Sequence, residues 1–413
     1  MAVFKPFRAF RPAQDKAKFV ASRPYDVLNS NEARIEAEGN PFSFLHVIKP
    51  EIGLPEKTNP YSDEVYLKGA QVYNKLKSDG VLVQDPTPSF YLYRLTMDGR
   101  TQTGIVGCCH FEEYYQSKIK KHELTRVAKE EDRVKHVDAL SANAEPVFFS
   151  YRANKEINSI IAEGMSEDPV FDFIADDKIR HELWVIDEHQ ITSSLEKLFA
   201  DVPCLYVADG HHRTAAAARV GQKRKDANQD HTGQEEYNLF LAVLFADEEL
   251  EIYDYNRVIK DLHGLTDLEF LSELKNKFSL LEQDSGPIRP RSKGEFSVYL
   301  SQKWFLFAPI DRKTSGNPVE DLDVSFLSDH VFEPILGIHD QRKDERIDFV
   351  GGIRGLEELS RRVDSGEMAV AFALYPVSME ELLQVADAGE IMPPKSTWFE
   401  PKLRSGLFVH ELD

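Results

Sequence analysis

The chain has 413 residues, 42% of them hydrophobic and 29% charged, with 22 glycines and 21 prolines dispersed rather than periodic. That balance excludes whole-chain disorder and a collagen-like fibre. Seventy acidic against 50 basic side chains give a net charge of −20, a surface that repels nucleic acids and anionic membranes, so neither is an expected partner.

The first hundred residues mix short extended pieces with Pro and Gly. Segment 40–55, NPFSFLHVIKPEIGLP, reads as a short strand between turns. Tyr66, Ala70, Tyr73 and Leu76 recur at helical spacing and predict a helix over 63–76. Segments 90–95 and 104–108 predict a hairpin turning at Asp98-Gly99. From about 118 to 140 the chain is highly charged with a thin apolar stripe, which predicts one or two exposed helices serving as a mobile cover. Strands are expected at 147–151, 182–186, 204–208, 238–245 and 249–259, with helices at 154–164, 191–200 and from His212 onward. The polar run after that last helix, QKRKDANQDHTGQEEY, reads as a disordered loop. Beyond a boundary near 262, strands (296–308, 347–350, 368–375) alternate with helices (267–280, 323–336, 355–365, 378–388). This is the pattern of an α/β protein with α+β mixing.

Cys108, Cys109 and Cys204 are too few and too poorly spaced for a disulfide scaffold or a zinc ribbon. No segment approaches the ~18 apolar residues of a membrane span, and the N-terminus lacks an unbroken apolar core. A reducing, cytoplasmic setting is expected.

The sharpest local signal is Tyr206-Val207-Ala208-Asp209-Gly210-His211-His212-Arg213, followed by Thr214 and an alanine run. A buried strand enters a glycine turn and a helix begins at once. Unpaired N–H groups and a macrodipole of roughly +0.5 charge at such a helix start favour an anion. Gly210 permits close backbone approach, and His212 and Arg213 add donors. Asp209 is a proton-handling group or a candidate Mg²⁺ ligand, or else a simple helix cap. His211 and His212 are adjacent and diverge, so a histidine metal site lacks its partners. Further clusters are His122, Glu123 and Thr125 with Arg133, which can equally be a solvated helix face, and Lys395, Ser396 and Thr397 with Lys402 and Arg404 in the tail, which can equally be a surface loop. Walker, strand-GxGxxG-helix, GxSxG and HExxH motifs are absent. Gly351-Gly352-Ile353-Arg354-Gly355 is a common type of turn that could meet an anion.

Taken in order, FKPFRAFRP, NPFSFLHVIKPEI, IKKHELT with Arg133, VADGHHRTAAA and IMPPKSTWFEPKLRSGLF resemble the domain-of-unknown-function 1015 family over nearly the whole chain. The ADGHHR block is similar to the signature of the ParB/sulfiredoxin superfamily, whose strand–turn–helix with GxxR (Gly210 to Arg213 here) binds nucleotide phosphates, and which includes free-serine kinases. The resemblance implies a ParB-like, nucleotide-phosphate-binding core inside a larger α/β protein. The expected organisation is an N-terminal α/β region (1–150) with the charged helix, the ParB-like core (151–262), and a C-terminal α/β domain with a functional tail (263–413). It further implies phosphoryl transfer to or from a small hydroxy amino acid, serine or phosphoserine, with a nucleotide (ATP or ADP) and Mg²⁺ as cofactors and a small phosphorylated molecule as partner. Asp209, His211, His122 and Glu123 are the expected catalytic groups. Gly210, His212, Arg213, Thr125, Arg133, Lys395, Ser396, Thr397, Lys402 and Arg257 are the expected phosphate and substrate contacts. Where the resemblance leads one to expect Thr-His-Arg, this chain has Tyr255-Asn256-Arg257, leaving Arg257 to serve alone. Three other readings stand beside this one. A ParB-like DNA-associated regulator conflicts with the charge, a sulfiredoxin-like reductase would need a cysteine in the turn that the histidines occupy, and a ligand sensor differs only in lacking turnover.

Overall fold

The structure is a computed structural model that describes residues 2–413. It is a mixed α/β protein whose chain forms two compact units, 1–250 with 401–413, and 251–400. This partition differs from the expected boundary at 150, which falls inside the strand Val147–Tyr151. That strand lies between Leu205–Asp209 and Leu239–Ala246, so segments either side of residue 150 build a single sheet.

The sheet of the first unit has nine strands. From one edge the order is Ile119–Lys120, Leu205–Asp209, Val147–Tyr151, Leu239–Ala246, Arg100–His110, Phe90–Met97, Arg180–Ile186 and Phe171–Ile174, while Phe4–Lys5 pairs off this path with Arg100–His110. Pairing is parallel at Leu205–Asp209 with Ile119–Lys120 and at Leu239–Ala246 with Val147–Tyr151, and antiparallel elsewhere. The expected hairpin forms, with Asp98 and Gly99 both at positive φ as its tight turn requires. Phe149, Leu205, Val207, Leu244, Ile157 and Leu195 belong to one buried cluster beneath the helices Lys155–Gly164 and His189–Ala200. Continuous apolar runs such as LFLAVLF are buried on both faces, which is why they show no alternation.

Three local expectations are corrected. Segment 40–55 is helical, Leu45–Ile48 and Pro50–Gly53, because Leu45, Val47 and Ile48 all turn into a core with Tyr73 and Leu76 of the helix Asp63–Ser78. The charged stretch is one helix, Val127–Leu140, and it is docked rather than loose. Its Asp132, Arg133 and His136 are buried, Val134 packs with Ala216 and Val220, and Glu130 and Glu131 pair with Arg219 at 3.0 and 2.9 Å. The helix begun at His211 runs on to Ala227, and the polar residues after it are tied down. The Asn228 amide and His231 Nδ1 both meet the Tyr237 hydroxyl at 2.9 Å, and Glu235 accepts from Thr232 and Gly233.

The second unit centres on a six-stranded antiparallel sheet ordered Phe278–Asp284, Lys303–Pro309, Phe296–Leu300, Val370–Leu374, Tyr255–Ile259, Ile347–Gly351. The helices Asp267–Lys277, Gly355–Asp364 and Met379–Asp387 accompany it, the first and last opened by capping boxes at Thr266 and Ser378. No helix among the described residues is long and apolar enough to cross a membrane.

Candidate functional site

The site lies in the first unit, where the strand Leu205–Asp209 meets the helix His211–Ala227. Val207 pairs with Phe149 but Asp209 with Phe148, so Ala208 is an extra residue. Such a bulge bends the strand end and re-aims the side chain that follows. Gly210 then takes φ 91° and ψ 32°, a left-handed geometry that costs glycine little, and the helix starts at the next residue. The amides of His211, His212 and Arg213 stand in the first turn, where a helix offers N–H groups no internal partner. The small side chains behind them, Ala215 to Ala218, are buried.

Arg213 folds back beneath Gly210. A Cβ on Gly210 would lie 3.1 to 3.2 Å from its guanidinium atoms. Arg213 Nη1 donates to the Pro146 carbonyl at 2.6 Å and Nη2 to Asp209 Oδ2 at 3.2 Å, while its buried Nε has no protein partner. The other Asp209 oxygen is 3.6 Å from Lys402 Nζ. Asp209 thus stands between two cations and is 29% exposed, which leaves the turn open at this side. Both Asp209 oxygens face cations, so a Mg²⁺ ion seated on Asp209 would have to displace Lys402 or Arg213.

His122 and His211 meet edge to face, ring centroids 4.6 Å apart at 88°. Burial pushes both imidazoles down to about 3, so each is neutral at pH 7. His211 Nδ1 lies 3.8 Å from Glu123 Oε2, and its buried Nε2 has no protein partner. His212 diverges as expected. Its Nε2 accepts the Arg126 backbone N–H at 2.9 Å, fixing the loop before the charged helix to the glycine turn. Glu123, His122, His211, His212, Arg213, Asp209, Gly210 and Lys402 therefore gather around one turn.

Within the first unit, Thr125, Arg133 and Arg404 are engaged by other partners. Thr125 Oγ1 donates to Glu130 at 2.8 Å. Arg133 is buried, donating to Asp132 at 2.8 and 3.0 Å and to Glu145 at 3.0 Å, with its guanidinium over the Tyr25 ring at 3.9 Å. Burial opposes the charge of Arg133, but Glu145 and Asp132 outweigh it and hold its pKa above the usual value. Arg404 donates to His181 Nε2 at 3.3 Å and pairs with Asp177. Arg257, Lys395, Ser396 and Thr397 belong to the second unit. There Gly351 and Gly352 make room for Trp398 and the Asp254 carboxylate, respectively. Sequence reasoning missed Glu145, whose charge faces both Arg133 and Arg213. A lone Glu before Pro146 gives no periodic or motif signal.

Among solved structures, a free serine kinase in complex with AMP is 14% identical, matched over 73% of this chain and 91% of its own, with a TM-score of 0.35. A conserved hypothetical protein from Pyrococcus furiosus is 16% identical over 73% and 93%, TM-score 0.33. SbnI with a C-terminal truncation from Staphylococcus aureus is 11% identical over 73% and 85%, TM-score 0.37. No curated protein matches the chain. A family model described as "Protein of unknown function (DUF1015)" matches residues 4–325, and the chain belongs to that family.

Proposed function

We propose that the first unit binds the phosphates of a nucleotide, ATP or ADP, at the turn Asp209–Gly210 and transfers a phosphoryl group to or from a small hydroxy amino acid, serine or phosphoserine. The observation that carries this reading is the left-handed Gly210 opening a helix beside a buried guanidinium and a second cation, at a turn that is only half covered. The first-turn amides and the helix dipole attract an oxyanion there. Arg213 supports the seat from behind rather than gripping phosphate in a fork, and Lys402 adds charge from the tail segment. The ADGHHR similarity to the ParB/sulfiredoxin signature supplies the nucleotide and the serine-type acceptor.

His211 is the proposed proton carrier. In the free protein it is neutral, and an arriving phosphate would favour its protonated form, with Glu123 close enough to stabilise it. Phosphoryl transfer asks chiefly for such positioning and charge stabilisation. Calorimetric titration with ADP and ATP, alongside ³¹P NMR of serine and phosphoserine turnover, tests the proposal. The expected result is nucleotide binding that weakens at least tenfold in Lys402→Ala and Gly210→Ala, together with interconversion of serine and phosphoserine. Absence of both binding and interconversion would overturn it.

A further inference from the structure

Arg257 is a buried cation of the second unit. It sits in the strand Tyr255–Ile259, 1% exposed, opposite Phe349 on one neighbouring strand and Phe372 on the other. Among the described residues no carboxylate pairs with it. Its guanidinium donates to the backbone carbonyl of Tyr255 and, at 3.1 Å, to that of Pro394, and stacks over Phe349 at 5.3 Å. Its Nε is buried with no protein partner. Asp254, the nearest acid along the strand, is committed elsewhere, accepting from Asn256 Nδ2 at 2.5 Å and facing Arg289 at 4.0 Å. Burial accordingly pulls the Arg257 pKa down to about 9, a large drop for a guanidinium.

A second cation stands nearby without an acid. Lys395 forms no ion pair among the described residues, and its Nζ lies 5.8 Å from the centre of the Tyr255 ring. The backbone of Lys395 is left-handed, φ 56°, a conformation that a non-glycine residue holds only when its surroundings impose it. The same turn provides the Pro394 carbonyl over Arg257, and the buried Ser396 hydroxyl, donating to Pro393 at 2.7 Å, braces it. A left-handed residue in one short turn, set against a buried strand cation whose Nε–H is unused, marks a site kept for a ligand rather than for stability.

We infer that Arg257 and the turn 393–396 form a binding site in the second unit for one oxyanion group, phosphate or carboxylate, of a small molecule, taken by the Nε edge of Arg257 as the turn opens, with Lys395 closing over it. This site rests on its own observations and does not depend on the reading at Gly210.

The test follows acetylation of Lys395 by mass spectrometry in the full chain, in sodium phosphate, sodium acetate and sodium chloride at matched ionic strength. Lys402 in the first unit is monitored in parallel, so that anion binding there is scored separately. Phosphate or acetate is expected to slow acetylation of Lys395 several-fold relative to chloride, and the more protective salt identifies the anion class. The protection is expected to vanish in Arg257→Gln. Equal Lys395 rates in all three salts, or protection that survives in a folded Arg257→Gln, would overturn the inference. Should Arg257→Gln fail to fold, the exposed substitution Lys395→Gln replaces it, read by thermal unfolding of the full chain. The rise in Tm caused by the protecting anion is expected to shrink, and an unchanged rise would overturn the inference equally.

Discussion

Replacing Gly210 by Ala imposes two separable costs. An L-residue at φ 91° gives up roughly 1–2 kcal/mol against glycine. The new methyl would also sit 3.1 Å from Arg213 Nε and 3.2 Å from Cζ and Nη2, closer than such contacts normally stand. Arg213 has little room to yield, because Nη1 is held by Pro146 at 2.6 Å and Nη2 by Asp209 at 3.2 Å. Loosening a buried, charged hydrogen bond costs roughly 1–3 kcal/mol, so the total is about 2–5 kcal/mol. Hydrogen exchange of the strand Leu205–Asp209, read by mass spectrometry, reports this as a loss of local opening free energy. Gly210→Asn separates the two parts. Asparagine tolerates the left-handed region but carries the same Cβ, so it should recover the backbone cost and keep the steric one. Exchange in Gly210→Ala within about 0.5 kcal/mol of wild type, the scatter of an indifferent surface change, would refute the claim that this turn is held taut by Arg213.

Arg133→Met leaves Glu145 and Asp132 buried without their cation and is expected to destabilise the first unit by roughly 3–5 kcal/mol in urea unfolding. Arg133→Met with Glu145→Gln should recover much of that loss. His122 and His211 titrate near 3 when folded and near 6.5 when unfolded, so the unfolded chain binds more protons between those values. Stability should therefore be fully present above pH 6.5 and decline as pH falls towards 3, and His122→Asn with His211→Asn should flatten that acid limb of a Tm-against-pH profile. Burial pushes the Cys108 and Cys109 thiols well above their usual range, so both should stay unreactive to a thiol reagent until the protein is unfolded.

Much was legible in the sequence where the signal is local. Apolar runs such as VFFSY and LFLAVLF announce buried strands, Asp98-Gly99 announces a hairpin, and glycine between a strand and an alanine run announces a strand–turn–helix junction. The residue spacing also foretold that His211 and His212 would part, one turning to His122 and the other to Arg126. What failed was any inference from charge about exposure. The same run of Lys, Glu, Asp and Arg suits a solvated helix or one whose Asp132, Arg133 and His136 find buried partners, and those partners, Tyr66, Glu145 and the Val47 carbonyl, all lie outside the helix. Tertiary structure alone set the bulge at Ala208, turned Arg213 inward, and divided the tail so that Lys402 joins Asp209 while Lys395 joins Arg257's unit. Patterning along a chain fixes which residues seek burial, but the burial of a charge depends on where its counter-charge lands, and that is settled only when the chain folds.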